Sequence, residues 1–600
     1  MDKNQATGLI LFAAVILIYS MFFASVPEPV TENQNLPNTE VQDAANPTVT
    51  GQQEQEPDSV FQARTKQQFG DFSDLTKGSA EQITLENEFL KVILSSKGGE
   101  IQSVELKEFK TWSQEPLILL DEENSTIAYQ VQSQSGPVSL NDLYFESATQ
   151  QVTVEDSPAQ QVVFTANTSS GSIQRIYTLA SESYLVDHRI ATQGNLLTDQ
   201  NITIHWEDKL NKLEADIEES RRKSYINYYT SSESYDYLGD GSSTEAEQVA
   251  QPLKWVSFKQ RFFTAGIIAG QQFSNGNLAS ATPTDTLSVK NMSATLILPI
   301  NEQVADLSYF FGPNNYNLLR KITPEFDKNV DMGYVFVSWV NKYIIVNLFH
   351  LLENFFSNYG VIIILIVFII KLFLLPLTYK SYIGMAKMRV IKPEIDELKE
   401  KYADDPTKMQ QEQMKLFGQL GVSPISGCLP MLLQMPFLFA MFFFFPNSIE
   451  LRQESFLWAH DLSTYDSIMT LPFTIPFYGN HVSLFTLLMT ISQIAYTHFN
   501  NQMTAVQGPM KNLGYIMPVT FMFVLNSFPA ALSFYYFVSN MVTFGQQALI
   551  KQFVDDDKIR LKVEENKIKN ANKKKSSFQT RLEEAMKATE AKKKEKKKKN

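Results

Sequence analysis

Long uncharged apolar runs alternate with polar stretches along the chain, and this pattern predicts its organisation. A helix rises about 1.5 Å per residue, so a run of about 20 apolar residues can cross a bilayer. The runs predict a polytopic α-helical membrane protein with six transmembrane helices. The predicted spans are residues 1–26, 359–377, 428–446, 482–499, 513–527 and 530–550.

The two ends of this series of runs differ from ordinary spans. The first run, residues 6–26, is longer than a usual signal-peptide core and ends in a poor cleavage site, which predicts an uncleaved signal anchor. The last two runs form one uncharged stretch, residues 512–550, which Asn526–Pro529 divides by a tight turn. Before this turn, residues 513–526 provide only 14 residues, about 21 Å of helix against a hydrocarbon core of about 30 Å. Thinning of the bilayer would accommodate it.

A large polar insert separates the first two spans. Residues 27–79 are rich in Gln, Asn, Glu, Pro and Thr, which predicts a flexible tether. Period-two alternation then recurs over residues 79–311 and predicts an antiparallel β-sandwich, within an inserted domain of residues 80–325. Its two central tryptophans would pack in the core, or else line a sugar or peptide cleft. These residues are Trp206 and Trp255.

Two histidines of the insert are the obvious candidates for metal ligands. His188 and His205 are isolated from each other and from any cysteine. Metal sites bring several such ligands together at short spacing. The pattern therefore indicates packing or surface histidines rather than a metal site.

Charge asymmetry sets the predicted orientation. Residues 27–62 contain seven acids and no Lys or Arg, whereas residues 378–426 carry eight basic residues. The tail, residues 551–600, has 18 basic and 9 acidic residues, although the whole chain has a net charge of −13. Under the positive-inside rule both termini lie in the cytoplasm and the insert lies on the other side. The single cysteine, Cys428, falls in a predicted span and excludes an intrachain disulfide.

One cation interrupts the second span. Lys371 stands six residues before the end of the span, about 9 Å inside it at 1.5 Å per residue. A charge at this depth costs about 3 kcal/mol on insertion scales. Its ammonium group either snorkels to the headgroups along its own stem or lies in a wet cavity that opens into the membrane.

Amide side chains recur in the spans that follow. An amide without a hydrogen-bond partner is costly in an apolar environment. Each amide alone suits a helix–helix hydrogen bond, whereas the set together with a buried cation suits a shared aqueous cavity. The amides are Gln434, Gln493, Asn540, Gln546 and Gln547.

Two amphipathic segments flank the Lys371 span. Residues 331–357 predict a helix that lies in the outer membrane interface. Residues 380–421 predict a cytoplasmic helical hairpin, whose second helix starts at Asp405 and Pro406. The apolar faces of the hairpin would pack on each other, or its methionines would offer an adaptable surface to partners. These are Met385, Met388, Met409 and Met414.

Four segments resemble the core of the YidC-type membrane protein insertases, the YidC/Oxa/Alb family. The resemblance is strong over residues 331–551 and weaker over the insert, through Ser96-KGGEIQSVEL and Trp255-VSFKQRFFTAGI. A signal anchor followed by a large insert is similar to the Gram-negative form of the family. The four segments are Met385-AKMRVIKPEIDELKEKY, Gly427-CLPMLLQMPFLFAMFF, Ser448-IELRQESFLWAHDLS and Phe534-YYFVSNMVTFGQQALI.

The resemblance implies a fold and a function. The fold would be a periplasmic β-supersandwich domain and five core helices around a hydrophilic groove, open to the cytoplasm and to lipid. The function would be insertion and folding of nascent integral membrane proteins in the bacterial inner membrane, alone or with the Sec translocon. The chain would have no catalytic residues, no cofactor, no metal and no DNA partner. It contains no GxxxxGK[ST] phosphate loop.

The resemblance also implies a set of groove residues. In the family a basic residue, usually arginine, attracts polar or acidic client segments, and Lys371 stands at that position. Tyr535 and Tyr536 match aromatic positions that contact the client, whereas a polar family position is Val367 here. The expected groove residues are Lys371, Gln434, Gln493, Tyr535, Tyr536, Asn540 and Gln546.

The basic tail and the competing functions complete the expectations. The tail, which ends in the run Lys592–Lys599, would contact anionic lipid and enforce topology, or would dock on ribosomal RNA. One alternative function is a small-solute transporter or channel. Another is a membrane-anchored periplasmic sugar-binding protein.

Overall fold

The computed structural model describes residues 58–154, 157–239, 244–403, 405–422, 429–503 and 509–570. The expected signal anchor (residues 1–26), most of the expected tether, Cys428 and residues 571–600 of the basic tail lie outside the described residues. The chain divides into two compact units. One ends at Asp331 and also includes residues 447–449, and the other comprises residues 332–446 and the chain from residue 450 onward.

The first unit is all-β apart from short helices. Its 19 described strands pair antiparallel in three sheets, which confirms the predicted all-β insert. The strands are β1 (Gln82–Glu86), β2 (Leu90–Ser95), β3 (Glu100–Lys110), β4 (Pro116–Asp121), β5 (Ser125–Ser133), β6 (Gly136–Ser139), β7 (Glu146–Val154), β8 (Ser157–Thr168), β9 (Gly171–Ala180), β10 (Leu185–Gly194), β11 (Leu197–Asn211), β12 (Tyr225–Thr230), β13 (Tyr235–Leu238), β14 (Thr244–Val249), β15 (Leu253–Lys259), β16 (Phe263–Phe273), β17 (Gly276–Ala281), β18 (Ser288–Pro299) and β19 (Val304–Pro313). The helices of this unit are α1 (Asp58–Phe69), α2 (Ile217–Arg222) and α3 (Tyr316–Leu319).

Two large sheets form the sandwich. A nine-stranded sheet has the order β13-β12-β15-β16-β19-β10-β9-β8-β7, and a six-stranded sheet has the order β14-β17-β18-β11-β5-β6. Trp206 of the six-stranded sheet stacks on Phe258 of the nine-stranded sheet, with 3.6 Å between ring centroids. Trp206 and Trp255 are both buried, and Trp255 Nε1 donates to the carbonyl of Pro324 at 3.0 Å. Both tryptophans therefore pack in the core and line no cleft.

A buried arginine joins the two sheets at another point. The guanidinium of Arg175 donates to the carbonyl of Gly98 at 2.6 Å and to the hydroxyl of Tyr177 at 2.7 Å. It also lies 4.1 Å from the centroid of the Tyr129 ring. His188 stacks on Tyr177 at 4.2 Å, and burial, together with the charge of Arg175, lowers the pKa of His188 well below its usual value. His188 is thus a neutral packing residue of the core.

The second unit is helical apart from one hairpin. Its helices are α4 (Val335–Val340), α5 (Val346–Glu353), α6 (Tyr359–Phe373), α7 (Leu375–Val390), α8 (Lys392–Lys401), α9 (Pro406–Leu420), α10 (Leu429–Asn447), α11 (Leu484–Met503), α12 (Pro509–Leu525), α13 (Ala530–Phe553) and α14 (Asp556–Asn570). A π-helical turn, Asn341–Ile345, joins α4 to α5, and the hairpin strands are β20 (Met469–Ile475) and β21 (Gly479–Val482).

Among the described residues, length and hydropathy alone allow one helix to cross a membrane, or two stretches if a bent pair of helices counts as one span. One is Val335–Glu353, the segment expected to lie in the interface, and its exposed side chains include Phe336, Trp339 and Tyr343. The other is the pair α6 and α7, between which the chain bends by 63°. The apolar helix Gly514–Leu525 is shorter.

The bend lies inside the expected span of residues 359–377. The amide of Leu374 still donates to Ile370, but Pro376 has no N–H to donate one turn back. A proline ring also clashes with the preceding turn of a helix. The helix therefore breaks at Leu374, and α7 continues past Lys380 into the first arm of the expected cytoplasmic hairpin.

The hairpin shares an apolar core with a helix that the sequence assigned to the basic tail. Helix α14 packs against α7 and α9, and Arg389 forms an ion pair with Asp556. The buried side chains of this core are Ala386, Met388, Ile391, Ile395, Phe417, Leu420, Val422, Ile559 and Val563.

This packing corrects the interpretation of the methionines. Met388 belongs to that core, and Met385 is buried against Tyr382 and Ile550 in an adjacent cluster. Met409 and Met414 are only half-buried. Only these two methionines of the second arm therefore offer apolar surface to a partner.

Candidate functional site

Lys371 lies in the last turn of α6, and its ammonium group turns into the helical unit. The side chain is 4% exposed. Its Nζ donates to Oε1 of Gln434 on α10 at 2.9 Å and to Oγ1 of Thr543 on α13 at 2.8 Å. A snorkelling lysine would instead extend towards the end of its helix and reach water. The ammonium group therefore does not snorkel in this structure, and the wet cavity expected around Lys371 stays a prediction.

Both partners of the ammonium group are neutral. Within the described parts of the chain, no carboxylate lies within ion-pair distance of Lys371. An ammonium group has three N–H donors, and the two described bonds use two of them. A buried cation is stabilised far better by an opposite charge than by neutral oxygens. Lys371 is therefore arranged to attract a further acceptor, and an anionic one most strongly.

A polar stripe on α13 runs past this cation and contacts it through Thr543. Asn540, Thr543 and Gln547 follow one another at intervals of three and four residues, which places them on one face of the helix. Asn540 Nδ2 donates to Oγ of Ser492 on α11 at 2.9 Å. Gln547 makes a long contact of 3.5 Å to Asn500 on the same helix. The stripe thus joins α13 to α11, while Thr543 joins it to Lys371.

Gln546 adds an unsatisfied acceptor to the site. Its Nε2 donates to the backbone carbonyl of Lys371 at 3.0 Å, which fixes the side chain beside α6. Its Oε1 is buried and has no hydrogen-bond partner among the described residues. Buried carbonyl oxygens normally have a partner. The site therefore offers an unpaired acceptor, Gln546 Oε1, on a side chain that is bonded to the backbone of Lys371.

The remaining expected groove residues lie around this cluster. The buried ring of Tyr535 lies 5.8 Å from Phe445 and 5.9 Å from Tyr536, edge-on to the latter. Tyr536 is half-buried, one turn before Asn540. Gln493 is half-buried on α11 next to Ser492, and the hydrogen bonds of the cluster do not include it.

Two residues of the site were missed by sequence reasoning, Thr543 and Ser492. A hydroxyl in an apolar helix can bond to the carbonyl one turn before it, as Thr543 does to Ser539 at 2.7 Å. Such a residue is not costly to bury, so it does not stand out in an apolar run. Its spacing from Asn540 and Gln546 was the available signal.

An apolar groove lies on another face of α13. It encloses about 1090 Å³ between α6, α7 and α13. Phe368, Leu372, Phe537 and Met541 line it, together with Gln546, which thus touches both the groove and the cation site. A Cβ added at Gly545 would meet no atom within 4 Å, so the groove is open at this point. An apolar segment fits such a surface better than a polar one, because the contact removes apolar area from water.

The described residues around Lys371 form no metal site. Among the described residues, no three His, Cys, Asp or Glu side chains are close enough to hold a metal ion. The site thus combines a buried cation that has neutral partners with an adjoining apolar groove.

Comparisons with known proteins match both units. A family described as "60Kd inner membrane protein" matches residues 351–557, and the "YidC periplasmic domain" matches residues 82–346. The membrane protein insertase YidC of Amoebophilus asiaticus (strain 5a2) is 43% identical over 599 residues, which are 98% of this chain and 99% of that protein. The one of Cytophaga hutchinsonii is 41% identical and covers 98% of each chain.

A solved structure gives a weaker match. The crystal structure of an active YidC insertase with its first transmembrane domain resolved covers 78% of this chain and 92% of its own. Its sequence is 18% identical and the TM-score is 0.32. A score this low supports no argument about the arrangement of the helices.

Proposed function

The chain belongs to the YidC family of membrane protein insertases, and from this membership we propose that Lys371 draws the polar segment of a client protein into the helical unit. As a member, it is an insertase of the inner membrane with a periplasmic all-β domain, and nascent membrane proteins are its substrates. An insertase is not an enzyme, and neither a transporter nor a sugar-binding protein is favoured by these relatives.

One observation carries the proposal: the ammonium group of Lys371 is buried with two neutral partners. A carboxylate of the client that approaches it replaces weak partners with a charge-assisted hydrogen bond. The interaction is stronger here than in water because the surroundings are poorly solvated. The polar segment therefore gains, inside the unit, part of the solvation that it loses on leaving water.

The apolar segment of the client takes the other route. It partitions into lipid along the groove between α6, α7 and α13, where burial of apolar surface contributes about 25 cal/mol per Å². Gln546 borders both the cation site and the groove. A client with adjacent polar and apolar parts can thus bind the cation site and the groove at the same place. Burial of its apolar surface in lipid then drives its release.

The membrane arrangement is part of the same proposal. Six spans place both termini in the cytoplasm, and the exposed apolar face of α4 and α5 lies in the outer interface. The basic tail contacts anionic lipid and translating ribosomes, and the insertase acts alone or beside the Sec translocon. The aromatic residues Tyr535 and Tyr536, and the amides Gln493 and Asn540, line the path of the polar segment.

Site-specific crosslinking tests the proposal. A photo-crosslinking amino acid replaces Ser539, which is on the face of Thr543, or Leu549, an exposed groove residue on another face of α13. Ribosome-bound chains of a single-span client present an acidic flank followed by the apolar segment. We expect Ser539 to crosslink to the flank and Leu549 to the apolar segment. A flank that crosslinks at Leu549 and not at Ser539 would contradict the proposal.

A further inference from the structure

The hairpin of β20 and β21 exposes an unusual amount of apolar surface. No charged residue occurs from Ser467 to Asn480. Met469 is 55% exposed, Phe473 60% and Phe477 86%. Clustered exposed side chains of this size mark a surface that contacts something other than water.

The turn and the second strand of this hairpin are fixed to the outer end of α12 by one buried side chain. Asn526, the residue after α12, donates from Nδ2 to the carbonyls of Tyr478 and His481, both at 2.8 Å. Its Oδ1 accepts from the amide of Ser483 at 3.0 Å. The ring of Tyr478 also packs edge-on against Phe523 of α12, at 5.4 Å. The hairpin is therefore a rigid continuation of α12 rather than a loose loop.

The same hairpin runs directly into α11. The carboxylate of Asp466 accepts from the amides of Leu484 and Phe485 at 2.8 and 3.1 Å, and from Nε1 of Trp458 at 2.9 Å. An acid at this position satisfies the free amides of the first helical turn and suits the helix dipole. Only Ser483 separates β21 from the helix. The hairpin thus starts and ends where two proposed spans reach the same membrane surface.

Helix α12 is too short for an ordinary span. Its apolar part, Gly514–Leu525, has 12 residues, about 18 Å of helix against a hydrocarbon core of about 30 Å. The hairpin begins where this apolar helix ends, and its exposed side chains are of the type that lipid would accept. The bonds from Asn526 therefore place the hairpin directly at the end of this short apolar helix.

The composition of the hairpin also suits lipid contact. Free strand edges are costly in hydrocarbon because their N–H and C=O groups lack partners. Pro472 and Pro476 have no N–H, so the hairpin presents fewer free donors there. Together with its lack of charge, this lowers the cost of placing the hairpin at the boundary between headgroups and acyl chains.

We propose that the β20–β21 hairpin is a membrane-embedded extension of α12, whose exposed side chains contact the acyl chains of the outer leaflet. The occupant of this surface is phospholipid rather than a protein partner. The inference rests on the proposed spans α11 and α12 and on the proposed orientation. In this arrangement the apolar surface of the protein continues past the end of α12 without a longer helix.

Spin labels in the full chain test this inference. Cys428→Ser removes the single cysteine, and a cysteine at Phe473 then carries a nitroxide in phosphatidylethanolamine–phosphatidylglycerol vesicles. Phe521→Cys, an exposed position on α12, reports the proposed span, and Trp112→Cys, exposed in the β unit, reports water. We expect the ratio of oxygen to nickel-complex collisions at Phe473 to exceed that at Trp112 by on the order of tenfold, because the polar complex is excluded from hydrocarbon.

Three results would overturn the inference. A water-like ratio at Phe473 with a lipid-like ratio at Phe521 means that the hairpin alone is wrong. A water-like ratio at both positions means that the proposed span has failed as well. A label at Phe473 that neither reagent reaches shows that protein covers the hairpin. If Phe473→Cys misfolds, Thr474→Cys, an exposed position that removes no apolar side chain, is labelled instead.

Discussion

Lys371 Nζ donates to Thr543 Oγ1 over 2.8 Å, and this bond joins α6 to α13 across the interior of the helical unit. Thr543 in turn donates to the carbonyl of Ser539 and is buried. A neutral hydroxyl thus holds a cation where proteins usually place a carboxylate. The bond stabilises the ammonium group without neutralising it, which keeps its charge available to a client.

Thr543→Val should weaken this arrangement. Valine has a similar shape but no hydroxyl, so the ammonium group loses one of its two described partners, at a cost of about 1–3 kcal/mol. Thermal unfolding of the detergent-solubilised protein measures the effect, with Thr543→Ser as the variant that retains the hydroxyl. An unchanged unfolding temperature for Thr543→Val would show that the bond contributes no stability.

Ile559→Ala should loosen the helical hairpin of α7, α8 and α9. Ile559 of α14 is buried against α7 and α9, and an Ile→Ala change in a core costs about 2–5 kcal/mol. Limited proteolysis of the hairpin measures the result. Leu561→Ala, an exposed position on the same helix, is the matched control. Equal proteolysis of both variants would mean that α14 does not stabilise the hairpin.

A truncation after Asn570 should therefore behave differently from one after Phe553. The shorter truncation, after Asn570, removes residues 571–600 with the run Lys592–Lys599 but keeps α14. It should reduce ribosome co-sedimentation at low salt and leave the hairpin resistant to protease, because phosphate contacts depend on the basic residues. The longer truncation, after Phe553, also removes α14 and should therefore expose the apolar core that this helix shares with the hairpin. Undiminished ribosome binding after the shorter truncation, without anionic lipid, would show that the removed segment has no role in docking.

The contribution of Asp208 to the stability of the β unit should fall as the pH rises from about 4 to about 7, opposite in sign to the contribution of His188. Burial raises the pKa of Asp208 to about 7, despite the hydrogen bond from Ser125. Between these pH values the folded state keeps a proton that the unfolded state has released. Rising pH therefore favours the unfolded state, and the contribution of Asp208 to stability is lost. The difference amounts to about 4 kcal/mol.

Asp208→Asn should remove this pH dependence. Hydrogen exchange of peptides from β11 and β18, corrected for intrinsic rates, measures it in the full chain at pH 4 and 7. Asp199→Asn, an exposed position on the same strand, serves as the control. An identical pH profile for the parent protein and for Asp208→Asn would contradict the protonation of this carboxyl group.

The parts of the site that the sequence predicted share one property: each is costly to bury. Lys371, Gln434 and Gln546 are polar enough to require partners in an apolar run, and the structure brings the three together. Thr543 and Ser492 each bond to a carbonyl one turn before them, so neither stands out in an apolar run, and only the spacing of Thr543 from its polar neighbours was a signal. Gln493 carries the same signal as Gln434, but its helix face places it outside the cluster.

The fold was predictable for a similar reason. Alternation with period two identified the β insert because one face of each strand is buried. Helix α14 was missed because its apolar positions, chiefly Ile559 and Val563, are few among many charges. The bend at Leu374 has a visible cause in Pro376, but a bend angle depends on packing that a linear sequence does not contain.

The most direct measurement compares insertion of two single-span clients that differ only in whether the translocated flank is acidic or neutral. Lys371→Met should slow insertion of the acidic client on the order of tenfold relative to the neutral one, since only the acidic client loses an attraction in a poorly solvated site. Lys371→Arg should insert both at the parent rates, and so should Lys380→Met, which removes an exposed lysine of α7. Equal rates for both clients with Lys371→Met would contradict a role of this cation in drawing the polar segment inward.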